Sequence, residues 1–204
     1  MNRYYQFVMV LVLTGIASHA SAEAPGYSFL TVGYSQFSSK IDGISEAPEG
    51  NGVSLDLSVA VRPYVAVTAG YKRGSASVTT SGSTVDSDTE STAFGVLVHL
   101  PINKIADLIL AVSFINGSTS VNKNGAFYAN IGSDGGVTTL GVRAMVFDTL
   151  ELNGFMYKTS IQDTSRIGIS LGAAWYFVDT VSADVDFFID SDNDFMTVGV
   201  SKYF

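Results

Sequence analysis

The chain has 204 residues, enough for one domain and short for two, with no cysteine and a net charge of −8. The lack of cysteine excludes a disulfide scaffold and a lipid-attached N-terminal cysteine, and it suits an exported protein of a bacterial envelope. The acidic balance repels phosphate backbones and argues against a nucleic-acid partner.

Residues 1–22 read as a signal peptide. "MNRYYQ" carries Arg3, "FVMVLVLTGIA" is an apolar run too short to span a bilayer comfortably, and "SHASA" places Ala20 and Ala22 before Glu23. Cleavage after Ala22 would leave 23–204 as a single mature domain. Mean hydropathy is positive, yet beyond residue 17 Ser, Thr, Gly, Asp or Asn interrupts every apolar run, so no transmembrane helix is expected. The apolar residues must instead be dispersed at every second position.

The mature chain reads as strands throughout. In "VSLDLSVAV", Val53, Leu55, Leu57, Val59 and Val61 share one face and Ser54, Asp56, Ser58 and Ala60 the other. The same period returns in Val65 to Tyr71, Phe94 to Leu100, Leu108 to Phe114, Leu140 to Val146 and Ile167 to Phe177. Strands are predicted at 26–37, 52–61, 64–73, 92–100, 107–117, 137–147, 150–158, 166–177, 181–188 and 195–204. Tight turns at Arg62-Pro63, Pro101 to Ala106, Asp148-Thr149 and Val178 to Thr180 alternate with polar loops at 38–51, 74–91, 118–136, 158–165 and 189–194. Short connections on one side and long ones on the other are the plan of a transmembrane up-and-down barrel. "NKNG" and "GSDGG" in the third long loop suggest that its strands continue past the membrane as a hairpin.

Three features turn the apolar face outward to lipid. The polar face is built of small residues (Gly168, Ser170, Gly172, Ala174; Thr197, Gly199, Ser201), which suit a narrow interior. Aromatics collect at the expected interfaces, as in Trp175 to Phe177, Tyr27, Phe29, Phe147 and Tyr203-Phe204. Each strand also has about the 9 to 11 residues a tilted crossing needs.

The terminal "TVGVSKYF" sets Met196, Val198 and Val200 against Thr197, Gly199 and Ser201 and stops on Phe204. An amphipathic last strand ending in an aromatic resembles the C-terminal signal read by the bacterial outer-membrane assembly machinery, with Phe204, Val200 and Val198 as its contacts. With "GYSFLTVGYSQF" as a first strand and hairpins throughout, the mature chain resembles the small outer-membrane barrels of the OmpA/OmpX-like superfamily. Two features depart from that group: ten strands where its small members usually have eight, and Lys202 at the third position from the end.

By parity the interior carries Asp56, Lys72, His99, Arg143, Glu151, Asp184 and Asp186. Charges of both signs in a narrow barrel are expected to form a structural network, because isolated buried charges are costly. The alternatives are an ion-selective path or a catalytic acid pair at Asp184 and Asp186. His99 is the one histidine of the mature chain, and it lies at the opposite end of its strand from a reach to that pair, so no enzyme is expected. "DSDND" at 190–194 imitates the start of a calcium loop, but Phe195 stands where the turn glycine belongs and Ser201 where the last ligand belongs. No metal or cofactor is therefore expected.

Phe127 and Tyr128, in the third long loop, are candidate contacts for a partner. Inward Phe155, Tyr157 and Tyr176, with Leu97, Ile109 and Ile115, supply bulk enough to fill the lumen. The expectation is thus an all-β fold, a monomeric ten-stranded outer-membrane barrel of a Gram-negative bacterium, in contact with outer-membrane lipid, the assembly machinery and an unknown extracellular partner. Its expected role is structural or surface interaction. A narrow porin-like channel and a barrel enzyme are the alternatives.

Overall fold

The computed structural model describes residues 26–39, 49–80, 82–161, 164–191 and 193–204. The expected signal peptide, 1–22, lies outside them. Ten strands follow one another: β1 (Phe29–Ser39), β2 (Glu49–Arg62), β3 (Val65–Thr80), β4 (Ser83–Pro101), β5 (Ala106–Lys123), β6 (Ala126–Phe147), β7 (Leu150–Ile161), β8 (Thr164–Val178), β9 (Val181–Ile189) and β10 (Asn193–Tyr203). Each pairs antiparallel with its successor, and β10 returns to β1 in an unbroken register from Phe29↔Tyr203 to Ser39↔Asn193. Closure satisfies the backbone groups at membrane depth, where hydrocarbon offers them no partner.

The two faces are distributed inside out relative to a water-soluble protein. Asp56, Ser58, Thr68, Lys72, Arg143 and Glu151 are buried in the interior, while Leu55, Val96, Val112, Leu140, Leu171 and Val200 are exposed on the outer face. A lipid solvent explains this where water would not, because an outward apolar band lowers free energy only against hydrocarbon. No helix among the described residues is long and apolar enough to cross a membrane; the crossing elements are strands.

The aromatics divide by direction. Trp175, Phe177, Phe147 and Phe204 are exposed on the outer face, but Tyr27, Phe29, Tyr176 and Tyr203 point inward and are buried. They stand at the expected height on the opposite side of the sheet. Adjacent residues of a strand face opposite ways, so an aromatic cluster such as Trp175-Tyr176-Phe177 cannot lie wholly in one girdle.

The largest departure from the sequence reading lies above the membrane. Residues 74–91 are not a loop: β3 and β4 stay paired from Val65↔Val98 to Thr80↔Ser83. β5 and β6 continue to Lys123↔Ala126, the hairpin that "NKNG" and "GSDGG" lead one to expect. The link is a two-residue turn in which Asn124 (φ 51°) and Gly125 (φ 77°) both take the left-handed conformation that such hairpins favour. Hydrophobic alternation fades there because polar residues occupy both faces, although Ala76, Ser87, Thr119 and Val121 on the inner one are buried, and a strand with little apolar to segregate gives little periodic signal. The barrel is therefore lopsided, with β3 to β6 forming a tall wall and β9, β10 and β1 ending near the rim.

Three register shifts, at Ala60/Arg62, Met145/Phe147 and Tyr176/Val178, sit beside tight turns. Bulges of this kind are common at barrel rims, where they bend a strand into its turn. The acidic run at 190–194 is part turn and part strand. Asp190 Oδ1 accepts the Asn193 backbone N–H at 2.8 Å, and the Asp190 N–H donates to the Asn193 carbonyl at 2.9 Å.

Candidate functional site

Two regions could carry function: the filled lumen and the wall above it. At the end bearing the tight turns, Tyr27 enters the mouth from just before β1 and is 4% exposed. Its ring stacks on His99, with centroids 3.4 Å apart and planes 18° from parallel, and its hydroxyl donates to Asp107. The Arg143 guanidinium lies 5.0 Å from the Tyr27 ring centroid. Arg143 Nε also donates to Glu151 Oε2 at 3.0 Å, both side chains being 2% exposed, and the Tyr176 hydroxyl donates to the same oxygen at 3.1 Å. A buried charge is tolerated only with such company.

Higher up, Asp184 accepts from Ser182 at 2.7 Å and from Ser201 at 2.6 Å, and Ser201 and Thr31 hydroxyls share a 2.6 Å bond. Lys72 lies in the electrostatic field of both Asp56 and Asp186. The six charges that parity places inside are therefore divided. Arg143 and Glu151 form one pair, Asp56, Lys72 and Asp186 a second group, and Asp184 a serine-held intermediate.

Above the charges the lumen is packed with rings. Phe155 and Tyr157 are 6.1 Å apart by centroid, Tyr157 and Phe188 5.6 Å, Phe188 and Phe195 5.6 Å, and Phe195 and Phe37 5.6 Å. Several rings rest on glycines of the neighbouring strand: Phe155 lies against Gly141, Phe188 against Gly168 and Phe37 against Gly50. Leu97, Ile109, Ile115 and Val137 from the facing strands belong to the same continuous core as Phe155, Tyr157, Phe188 and Tyr203.

Sequence reasoning missed Tyr27, Asp107 and Asn153 as interior polar groups. Asp107 shares inward parity with Ile109, and Asn153 with Glu151 and Phe155, so both signals were present. Tyr27 falls within the strand predicted at 26–37 and shares the parity of Phe29 and Thr31, so its inward direction was legible too. The carboxylate facing His99 is Asp107, not Asp184 or Asp186. His99 is engaged in the ring stack rather than in an acid–base dyad with that pair. Among the described residues no group of three or more His, Cys, Asp or Glu converges as a metal cluster.

The wall is polar and small on its outer face. Arg73 Nε and Glu90 Oε1 are 3.5 Å apart, Ser77 donates to Asp86 Oδ1 at 2.7 Å, and Asn116 donates to Asp134. The two hairpin tips are tied together: the Asn124 N–H donates to the Thr84 carbonyl at 2.8 Å, and Asn124 Oδ1 accepts the Thr84 N–H at 2.9 Å. Near the tip of β6 the register shifts, Val121 pairing with Ala129 and Asn122 with Phe127, so that Tyr128 is the extra residue. The bulge leaves Phe127 71% and Tyr128 60% exposed. Pairing of β6 with β7 starts only at Gly135, and the far edge of residues 126–131 meets no strand among the described residues. An open cleft of about 540 Å³ lies between the outer ends of β1 and β2, lined by Tyr34, Gln36, Glu49 and Phe37, the last of which also ends the ring series of the lumen.

Residues 7–177 match the family model described as "Outer membrane protein beta-barrel domain". No functionally curated protein matches the chain. Among solved structures, the fold is similar to the translocator domain of the autotransporter NalP from Neisseria meningitidis, at 12% identity over 88% of this chain and 89% of that one, with a TM-score of 0.59. It is also similar to the transport unit of the autotransporter AIDA-I from Escherichia coli, at 11% identity over 97% and 93% of the two chains, with a TM-score of 0.56. Neisserial surface protein A is aligned at 13% identity over 86% and 96%, with a TM-score of 0.47. Identities this low speak to fold alone.

Proposed function

The chain belongs to the outer-membrane β-barrel family whose model it matches, and on that premise we propose that it works as a surface-contact protein: a closed, filled barrel holding a tall β-wall outside the cell. The single observation that carries this reading is the burial of Tyr157, Leu97, Ile109 and Ile115 inside the ring, each 1% exposed or less. A pore needs a water column, and here aromatic and aliphatic side chains occupy its place. Transport, the role in the names of the translocator domain and transport unit above, likewise needs an open path. Catalysis finds little support in a histidine committed to a ring stack.

The contact surface would be the tip of the wall. Phe127 and Tyr128, aimed outward by a bulge, give the large, stiff contact area typical of interface anchors. The partner remains an extracellular molecule engaged through these rings and the polar face beside them. Residues 1–22 would serve as the export signal and 23–204 as the barrel domain. Phe204, Val200 and Val198, all exposed on one outer face of β10, would be the residues read during assembly.

Two measurements on the full barrel test this reading. Reconstituted in a planar bilayer, the protein should show no steady conductance; an open channel whose ion selectivity changes in Arg143→Ala or Asp186→Ala would replace it with the channel reading. Cells displaying the protein should attach to protein- or polysaccharide-coated surfaces in a manner lost in the Phe127→Ala, Tyr128→Ala double variant, with surface amounts equal. Attachment unchanged by that variant would remove the wall tip from the proposal.

A further inference from the structure

At the mouth, one residue from outside the ladder engages two groups that are partners by register. Asp107 of β5 and Arg143 of β6 lie directly opposite each other. Both side chains face inward and are 2% exposed. Opposite charges at cross-strand spacing ordinarily meet. Among the described residues no ion pair joins these two, and Arg143 Nη1, Arg143 Nη2 and Asp107 Oδ1 are all buried without a hydrogen bond. Tyr27 engages both instead. Its hydroxyl donates to Asp107 Oδ2, and its ring centroid lies 5.0 Å from the guanidinium carbon of Arg143.

Docking of Tyr27 thus coexists with unsatisfied donors and an unsatisfied acceptor of opposite charge, a costly state in a low-dielectric interior. Two further contacts hold the residue: its ring stack on His99, and the Ser58 hydroxyl donating to its carbonyl at 2.7 Å. The β1 ladder begins only at Phe29. Ser28 is anchored differently. Its Oγ accepts the Ala60 N–H at 3.0 Å and its carbonyl accepts the Phe204 N–H at 3.1 Å, which ties it to β2 and to the residue after β10, on either side of β1. Ser28 is a fixed point, and Tyr27 is the arm beyond it.

The mouth therefore has two self-consistent arrangements. With Tyr27 in, a ring is buried and the two charges stay apart. With Tyr27 out, Asp107 and Arg143 can close on each other through the free Nη atoms and satisfy the stranded groups. Neither arrangement needs a cavity or an added ligand. We propose that residues 26–28 form a detachable strap: Tyr27 locks the mouth once β1 has met β10, and the Asp107–Arg143 pair holds those charges whenever the strap is away. Both members of that pair belong to one hairpin, so it can form before the ring closes. Phe155 and Tyr157 remain buried in the lumen, so release of the strap opens no path through the barrel and acts on closure alone.

The test uses the full barrel refolded in detergent. The chain has no cysteine, so Gly26→Cys supplies a single thiol for a nitroxide read by electron paramagnetic resonance. The strap should give an immobile and a mobile component. Tyr27→Phe keeps the ring but frees Asp107 for Arg143, and should raise the mobile fraction about twofold or more. Asp107→Asn can still accept the Tyr27 hydroxyl but cannot form the ion pair, so it should remove most of the mobile component. If the carboxylate only anchors the strap, Asp107→Asn should enlarge that component instead. Such a result, or a single immobile component in both the parent and Tyr27→Phe, would overturn the proposal. Should Asp107→Asn not refold, urea midpoints decide. Tyr27→Ala should lower the midpoint less than Tyr157→Ala, a ring of similar burial with no substitute pair beneath it. An equal or larger loss at Tyr27 would overturn the proposal as well.

Discussion

The wall is the upper part of four of the barrel's ten strands, and the two heights obey different rules. At membrane depth β5 sets Leu110, Val112 and Phe114 outward and Ile109, Ala111 and Ser113 inward, with an apolar medium on one side and a packed core on the other. A few residues on, Asn116, Ser118 and Ser120 alternate with Gly117 and Thr119, and only backbone pairing and short polar contacts hold the sheet. Below the rim a side chain is fixed by what surrounds it. Above the rim it is fixed mainly by its neighbour across the ladder. Substitutions of matched chemistry should therefore differ sharply in cost between the two.

The widest gap is expected for charge pairs. Glu151→Ala strands the buried Arg143 guanidinium and should cost about 3–5 kcal/mol in equilibrium urea unfolding of the refolded barrel. Glu90→Ala breaks the exposed pair with Arg73 and should stay within about 1 kcal/mol. Similar losses at both sites would erase the distinction. Next come charges placed on the outer face. Leu57→Arg should cost about 2–4 kcal/mol if it stands near the bilayer midplane, whereas Ser118→Arg on the wall should leave the same urea midpoint nearly unchanged. Reversal of that order would mean that the lipid-facing side has been misassigned.

Glycines give a smaller contrast. A Cβ on Gly141 would fall 2.2 Å from the Phe155 ring and 2.4 Å from the Gly154 carbonyl oxygen, both inside contact distance. Gly141→Ala should thus cost about 1–3 kcal/mol as overpacking. A Cβ on Gly132 meets nothing within 4 Å, so Gly132→Ala should be neutral or slightly stabilising in the same assay. The smallest effect on the isolated protein is expected at the terminus. Phe204 is an exposed end residue whose N–H donates to the Ser28 carbonyl at 3.1 Å. Deleting it should lower the amount of assembled barrel in cells while refolding into detergent is little changed; equal yields in cells would remove its proposed role in recognition.

The alternation of Val53 to Val61 or Ile167 to Phe177 was enough to define strands, their outward faces and a closed ring of ten, because lipid imposes a two-sided environment that sequence must encode. The same parity placed Asp56, Lys72, Arg143, Glu151, Asp184 and Asp186 on the inner side. It could not say which of them meet. Contacts between distant strands depend on strand stagger, and the stagger separates Arg143 and Glu151 from the group around Lys72. Tyr27 shares the parity of Phe29 and Thr31, but its aromatic ring reads as a membrane-interface residue rather than as a lumen group. The wall was under-read for a different reason: Ser75, Ser77, Asp86 and Asp88 are polar whichever way they face, and only the Asn124-Gly125 turn marked the far end of a hairpin.

The clasp at the hairpin tips changes what binding at the wall would cost. Asn124 supplies a left-handed turn position and, with the same backbone and side chain, ties the β5–β6 tip to Thr84 of its neighbour. The β4–β5 ladder already joins the two hairpins as far as Val85↔Lys123, and Asn124 carries that one plate to its tips. Freedom surrendered during folding need not be surrendered again on contact, so a partner meeting Phe127 and Tyr128 would spend less of its interaction energy on ordering them. Loosening the clasp with Asn124→Gly would keep the turn and the backbone bond to the Thr84 carbonyl and remove the side-chain bonds to Thr84 and Ser83. Such a variant should leave the rings in place but shorten the lifetime of any complex they form, because the plate would have to be stilled afresh at each encounter.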